Sequence, residues 1–195
     1  MTRPALVLIG PMGAGKTSVG RKVAKALRRP FYDSDIAVVR AHGPIDRIFA
    51  EQGEQVFRVW EREAVATGLA QGGVVSLGGG AVLDTDTQED LAHHRVALLT
   101  VEPRVVASRV AGSDRPLLRG EDALARWEEI HRARSPLYRR LADRTFDTSH
   151  GPLQRVVESI VQWAREDQQE TGGDPHAGDR QRVPHEQRAR DEDVR

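Results

Sequence analysis

Residues Gly10 to Thr17 read Gly-Pro-Met-Gly-Ala-Gly-Lys-Thr and follow the apolar run Ala5-Leu6-Val7-Leu8-Ile9 without a break. This is the pattern of a short strand turning into a phosphate-cradling loop at the start of a helix. Glycines at 10, 13 and 15 let the backbone curl with its N–H groups pointing inward, where a helix N-terminus favours phosphate oxygens. Lys16 then reaches the β and γ phosphates of a nucleoside triphosphate, and the Thr17 hydroxyl holds a magnesium ion. The only lysines are Lys16, Lys22 and Lys25, against a large excess of arginine. An arginine-favouring chain has kept lysine where a compact point charge is needed.

Four further clusters could do chemistry. Phe31-Tyr32-Asp33-Ser34-Asp35 reads as a strand exit on which alternation places Asp33 and Asp35 toward the same side, one for the magnesium shell and one for a substrate hydroxyl; the plainer alternative is an Asp N-cap beside a solvated Asp. Val74-Val75-Ser76-Leu77 runs into Gly78-Gly79-Gly80, which brings backbone close to a ligand and offers N–H donors, or is a flexible turn. The loop Gly112-Ser113-Asp114-Arg115-Pro116-Leu117-Leu118 follows a helix containing Arg109 and reads as a lid whose arginine neutralises developing charge. Arg134-Ser135-Pro136-Leu137-Tyr138 sets an arginine late in a helix begun near Glu121, where alone it would oppose the helix dipole.

These residues need a scaffold, and the apolar periodicity supplies one. Strands are expected near 5–9, 31–33, 74–77, 96–100 and 144–147, alternating with helical patterns. One helix spans Lys16 to Leu27 with Val19, Val23, Ala26 and Leu27 on its apolar stripe. Another spans Glu54 to Ala70 with Val56, Val59, Trp60, Val65 and Leu69 on the stripe and Arg58, Glu61 and Arg62 off it. Trp60, Trp127 and Trp163 read as packing residues. The alternation predicts an α/β fold with three layers, α/β/α, around a central parallel five-stranded sheet, with right-handed crossovers and the ligand beyond the carboxyl ends of the strands.

The 195 residues suit one domain with an appendage, and acidic and basic residues balance at 29 each, so no overall field draws the chain to nucleic acid or an anionic membrane. Cysteine is absent, which excludes disulfides, thiolate metal sites and a cysteine nucleophile. Asparagine is absent too, so the guanine-reading Asn-Lys-x-Asp motif of ordinary GTPases is missing. With no signal-peptide core and no run near 20 apolar residues, a soluble cytoplasmic protein is expected. Residues 1–166 form the expected domain. Residues 167–195 are rich in charge, with Ala177, Val183, Ala189 and Val194 as their aliphatic residues, and are expected to be a disordered tail.

Taken together, Gly10–Thr17, Asp33-Ser-Asp35, Gly53-Glu-Gln-Val-Phe-Arg58 with Glu61, Leu77-Gly-Gly-Gly80, Arg115-Pro-Leu-Leu118 and Arg134-Ser-Pro-Leu-Tyr138 resemble the shikimate kinase family over roughly Ala5 to Ala164. The resemblance implies a phosphate-loop kinase that uses ATP and Mg2+ to phosphorylate a shikimate hydroxyl, acts as a monomer and has no nucleic-acid or membrane partner. It implies ATP contacts from Gly13, Ala14, Gly15, Lys16, Thr17 and Ser18, with Arg115 on the lid and Arg109 and Pro152 flanking the adenine. Asp33 supports magnesium beside Thr17. Asp35, Arg58, Arg134 and the backbone of Gly78, Gly79 and Gly80 take the shikimate, and Lys16, Asp35 and Arg115 are the implied catalytic residues.

Chemistry agrees with the acceptor side of this reading, since planar guanidinium forks suit a carboxylate better than lysine does. Three features depart from the family pattern: Val59-Trp60 after Arg58, a short stretch between Arg109 and Arg115, and the charged tail. The competing readings are a related small kinase acting on gluconate or a nucleoside monophosphate, and a nucleotide-binding regulator without catalysis.

Overall fold

Four consecutive aliphatic residues, Leu6-Val7-Leu8-Ile9, form the central strand β1, and none is more than 1% exposed. Such a run belongs inside a parallel sheet covered on both faces. The computed structural model describes residues 4–110 and 123–170, excluding the side chains of 107–110 and 167–170. After β1 (Leu6–Ile9) come α1 (Lys16–Leu27), β2 (Phe31–Asp33), α2 (Ser34–His42), α3 (Ile45–Glu51), α4 (Glu54–Gln71), β3 (Val74–Ser76), a 3-10 turn (Ala81–Leu83), α5 (Thr85–Leu91), β4 (Arg95–Thr100), α6 (Pro103–Val110), α7 (Ala123–Leu141), β5 (Arg144–Asp147) and α8 (Leu153–Glu170).

The strands form one parallel sheet in the order β2-β3-β1-β4-β5. Val7 stands opposite Val75 on one side and Val96 on the other. From β1 the chain moves first toward β2 and β3 and then crosses to β4. That reversal of direction beside β1 makes the crevice at the carboxyl ends of the strands the place for a ligand.

Alternation along β1 divides the core into two layers. Val7 and Ile9 share a cluster with Val65 and Leu69 of α4, Leu91 of α5, and Tyr138 and Leu141 of α7. On the other face α1 approaches so closely that a Cβ on Gly20 would stand 3.0 Å from Leu8 Cδ1 and 2.6 Å from the Phe31 ring. The expected three-layer α/β/α sheet is therefore present.

Two apolar stripes differ from expectation. On α1 the buried residues are Val19, Gly20, Val23 and Ala24, while Ala26 is exposed, because the close approach to Phe31 and Leu8 turns the Gly20 side inward. On α4 the buried set is Phe57, Glu61, Val65, Gly68 and Leu69, and Val59 is 57% exposed. The stripe is rotated about one residue, which brings the supposedly outward Glu61 inside.

The chain divides into two compact units, Met1–Val161 and a second starting at Gln162. The first contains the sheet and every described residue discussed below. In the second, the described residues continue α8 to Glu170, so the first four residues of the expected tail are helical. Among the described residues no helix is long and apolar enough to cross a membrane.

Candidate active site

The loop after β1 is built on backbone that only glycine tolerates. Gly10 has φ 135°, and a Cβ there would overlap the Leu99 carbonyl oxygen of β4. Gly15 caps α1 in the left-handed region at φ 82°. The Lys16 ammonium donates to the carbonyls of Gly10 at 2.8 Å and Pro11 at 2.9 Å, so the charge lies over the loop. Two neighbours hold the loop from outside. Trp127 of α7 donates its indole N–H to the Met12 carbonyl at 3.0 Å. The Thr148 hydroxyl lies 3.1 Å from the Ala14 carbonyl and 2.9 Å from that of Thr100.

Asp33 ends β2 and does two jobs at once. One carboxylate oxygen accepts the Ile36 N–H at 3.1 Å and caps α2, and the other accepts the Thr17 hydroxyl at 2.8 Å. The N-cap alternative therefore holds for Asp33, and the same side chain also meets Thr17 of the phosphate loop. Asp35 is different. The strand stops at Asp33, so Asp35 lies in the first turn of α2, and strand alternation does not govern it. Its carboxylate lies against Gly78, where a Cβ would overlap Oδ1. The two carboxylates thus have different neighbours, and it is the first turn of α2, not the expected strand alternation, that places Asp35.

A second cluster is organised around Gly78-Gly79-Gly80, and each glycine has its own reason. A Cβ on Gly78 would also stand 2.6 Å from Glu61 Oε1, and one on Gly80 would overlap Arg58 Nη1. A Cβ on Gly79 would stand 3.6 Å from Gly10 O and Met12, so this residue faces the phosphate loop. The Gly78 N–H donates to the buried Ser34 hydroxyl at 3.0 Å and is not available as the ligand donor expected from sequence. The Gly79 carbonyl accepts from Arg134 Nη1 at 3.1 Å and from the Tyr138 hydroxyl at 2.5 Å. Arg134 stands inside α7 rather than in its last turn, which removes the helix-dipole alternative.

Arg58 of α4 is held on two sides. It donates to Glu61 at 2.6 Å and, through Nε and Nη2, to Glu54 at 3.2 and 2.7 Å. A guanidinium carries five N–H donors, so two remain for an acceptor. Burial pushes the Glu61 carboxyl above its ordinary range and Asp35 adds to that, while Arg58 and Arg134 pull it back. Burial also raises the Tyr138 phenol, which keeps it a donor to Gly79.

The structure therefore brings together Gly13, Ala14, Gly15, Lys16, Thr17, Ser18 and Asp33 at the loop after β1, and Asp35, Arg58, Gly78, Gly79, Gly80 and Arg134 around the triple glycine. Pro152 is exposed in the segment before α8, four residues past Thr148, which touches the phosphate loop. Arg109 lies in α6 with its side chain outside the described residues, and Arg115 with the whole expected lid lies outside them too. Glu61, Ser34, Tyr138, Trp127 and Thr148 were not among the candidate site residues. Tyr138 had a usable signal, standing four residues after Arg134 on the same helix face.

A phosphate loop at the end of the central strand of a parallel β2-β3-β1-β4-β5 sheet, with a hard-oxygen pair beside it, places the chain among the phosphate-loop kinases. Residues 12–165 match the family model for shikimate kinase. The chain is 45% identical to the shikimate kinase of Thermobifida fusca over 163 residues, covering 82% of this chain and 94% of that relative. It is 40% identical to that of Rhodococcus jostii over 161 residues, covering 81% and 96%. Its structure is similar to that of the Acinetobacter baumannii shikimate kinase in complex with shikimate, with a TM-score of 0.81, 34% identity, and coverage of 85% and 95%. The chain belongs to the shikimate kinase family.

Proposed function

We propose that the chain transfers the γ-phosphoryl group of ATP to a hydroxyl of shikimate, giving shikimate 3-phosphate and ADP, in the biosynthesis of chorismate and aromatic amino acids. The observation that carries this reading is the gathering of Asp35, Arg58 and Arg134 around Gly78–Gly80, with Gly79 facing Gly10 and Met12 of the phosphate loop. That arrangement suits an acceptor with a carboxylate at one end and a hydroxyl at the other.

Phosphoryl transfer asks a protein mainly for alignment and charge neutralisation. The loop amides and Lys16 bind the polyphosphate. Arg58 and Arg134 clamp the acceptor carboxylate through charge-assisted hydrogen bonds, and Glu61 and Glu54 hold the Arg58 fork in place. Asp35 accepts a hydrogen bond from the hydroxyl and takes its proton as the new O–P bond forms and the bond to ADP breaks. Arg115, with Arg109 and Pro152 at the adenine, covers the nucleotide.

The Thr17 hydroxyl and Asp33 carboxylate, 2.8 Å apart, are hard oxygen donors of the kind magnesium takes when it keeps most of its waters and binds phosphate. They would hold the ion, which supplies neutralisation of the β and γ oxygens. The chain works as a monomer in the cytoplasm on these small substrates, without a nucleic-acid partner.

Purified protein mixed with ATP, Mg2+ and one acceptor at a time tests the assignment. ADP release is expected with shikimate and not with gluconate or AMP. Release with either of those and not with shikimate overturns it, and no release with any acceptor favours the non-catalytic reading.

A further inference from the structure

Beside the acceptor clamp, a small cavity opens between α4, the turn after Gly80 and the start of α5. Arg58, Glu61, Arg62, Gly80, Asp84 and Thr87 line it, and its volume is ≈ 20 Å³. That is enough for one water molecule and too little for a larger ligand. Among its lining residues two side-chain atoms, Arg62 Nη1 and Thr87 Oγ1, are sealed from bulk solvent without a protein hydrogen-bond partner. Thr87 is wholly buried. Orphaned polar atoms of this kind are uncommon in folded proteins and are usually met by an internal water.

The surroundings hold both atoms in place. Arg62 donates through Nη2 to Asp90 at 2.6 Å and places Nε 3.5 Å from Asp84 Oδ1. The same Asp84 oxygen caps α5 by accepting the Thr87 N–H at 2.8 Å. Arg62 is thereby tied to both ends of α5, to its N-cap Asp84 and to Asp90 in its last turn, with its third nitrogen left over. The cavity also borders Arg58, whose guanidinium lies so close to Gly80 that a Cβ there would overlap it.

We propose that this cavity binds one ordered water, accepting from Arg62 Nη1, bonded to the Thr87 hydroxyl and donating to the Glu61 or Asp84 carboxylate, and that Arg62 and Thr87 thereby position the Arg58 fork. Two buried polar groups are satisfied by a single bridge. The bridge links α4 to α5 behind the turn that the acceptor must meet. Arg62 and Thr87 touch no substrate and act only through Arg58 and the turn. The positioning role rests on Arg58 being part of the carboxylate clamp.

A crystal structure of the whole protein and steady-state kinetics of Thr87→Val and Thr87→Ser test it. Density is expected for one water within about 3.2 Å of both Arg62 Nη1 and Thr87 Oγ1. Thr87→Val keeps the shape but removes the hydroxyl. It should raise the shikimate KM about threefold to tenfold, the scale of one lost hydrogen bond, with the ATP KM unchanged. Thr87→Ser, which keeps the hydroxyl, should restore the wild-type shikimate KM. A cavity without water, or a Thr87→Val variant with lower Tm and an unmoved shikimate KM, overturns the proposal. Arg58→Ala separates the two readings: an unchanged shikimate KM in that variant removes the clamp and the positioning role with it, while the density alone decides the water site.

Discussion

Asp33 and Asp35 stand two positions apart, yet the start of α2 between them sends one carboxylate to Thr17 and the other to the Gly78 backbone beside Glu61. One is suited to metal support and the other to meeting a hydroxyl. Asp35→Asn keeps the size of the side chain and removes its capacity to take a proton. The expected result is a kcat lower by at least about 100-fold, the scale of a lost general base, with ATP affinity nearly unchanged because the phosphate loop is untouched. Kinetics together with nucleotide titration read both quantities, and full turnover would remove Asp35 from this role.

Glu61 makes a different kind of prediction because its carboxyl is raised by burial, and further by Asp35 of α2, against the pull of Arg58 on α4 and Arg134 on α7. A carboxyl raised in the folded state stabilises the fold while protonated. That contribution is complete below the unfolded value of about 4.3 and is lost as pH climbs through the folded value. Glu61→Gln does not titrate, so the Tm difference, variant minus wild type, should become more positive from about pH 4 to about pH 7. A difference that stays flat with pH would contradict the assignment. The residue scale also marks the limit of legibility. Asp35, Arg58 and Arg134 were readable because ordered motifs surround them, whereas the bond from Gly78 to Ser34 and those from Arg134 and Tyr138 to Gly79 depend on how three distant segments fold together.

At the scale of elements, the turn Gly78–Leu83 is the piece whose shape the acceptor site needs most. Gly80 has ordinary backbone angles, φ −100° and ψ −16°, so an alanine there meets no backbone strain. Its Cβ meets Arg58 instead. Gly80→Ala should therefore displace the guanidinium and raise the shikimate KM by about tenfold or more, the cost of losing a hydrogen bond to a charged group, while the ATP KM holds. An unchanged shikimate KM would show that Arg58 has room to move without consequence. Strand positions were legible nearly to the residue because β1 and β4 hold continuous aliphatic runs and β3 is a short buried segment between glycines. The α4 stripe was not. Val59-Trp60 reads as apolar by composition, but the buried face of α4 is that of Phe57, Val65, Gly68 and Leu69, which carries Glu61 inward and leaves Val59 in solvent. Arg58, three residues before Glu61 on the same helix, meets the buried carboxylate, and only the packing of α4 against its neighbours reveals which face is buried.

For the whole molecule, the decisive feature is the order in which the chain visits the sheet. Placing β1 at the centre, with β3 on one side and β4 on the other, sets the phosphate loop between the Asp33 end of β2 and the Thr148 segment after β5, so ligands can be gripped from both flanks. All of that machinery, among the described residues, lies in the unit ending at Val161. The helix α8 runs on to Glu170, and the residues beyond lie outside the described part of the structure. Composition still argues about them. Residues 171–195 carry Ala177, Val183, Ala189 and Val194 as their aliphatic side chains, little apolar surface to add to the stability of the domain. Ending the chain after Glu170, which keeps α8 whole, should leave kcat and both KM values unchanged and shift Tm by less than about 2 °C, under roughly 1 kcal/mol for a protein of this size. Side-by-side thermal melts and kinetics of the full and shortened chains measure this. A larger fall in Tm, or a raised KM for either substrate, would mean that these charged residues bind back onto the enzyme and belong to its working form.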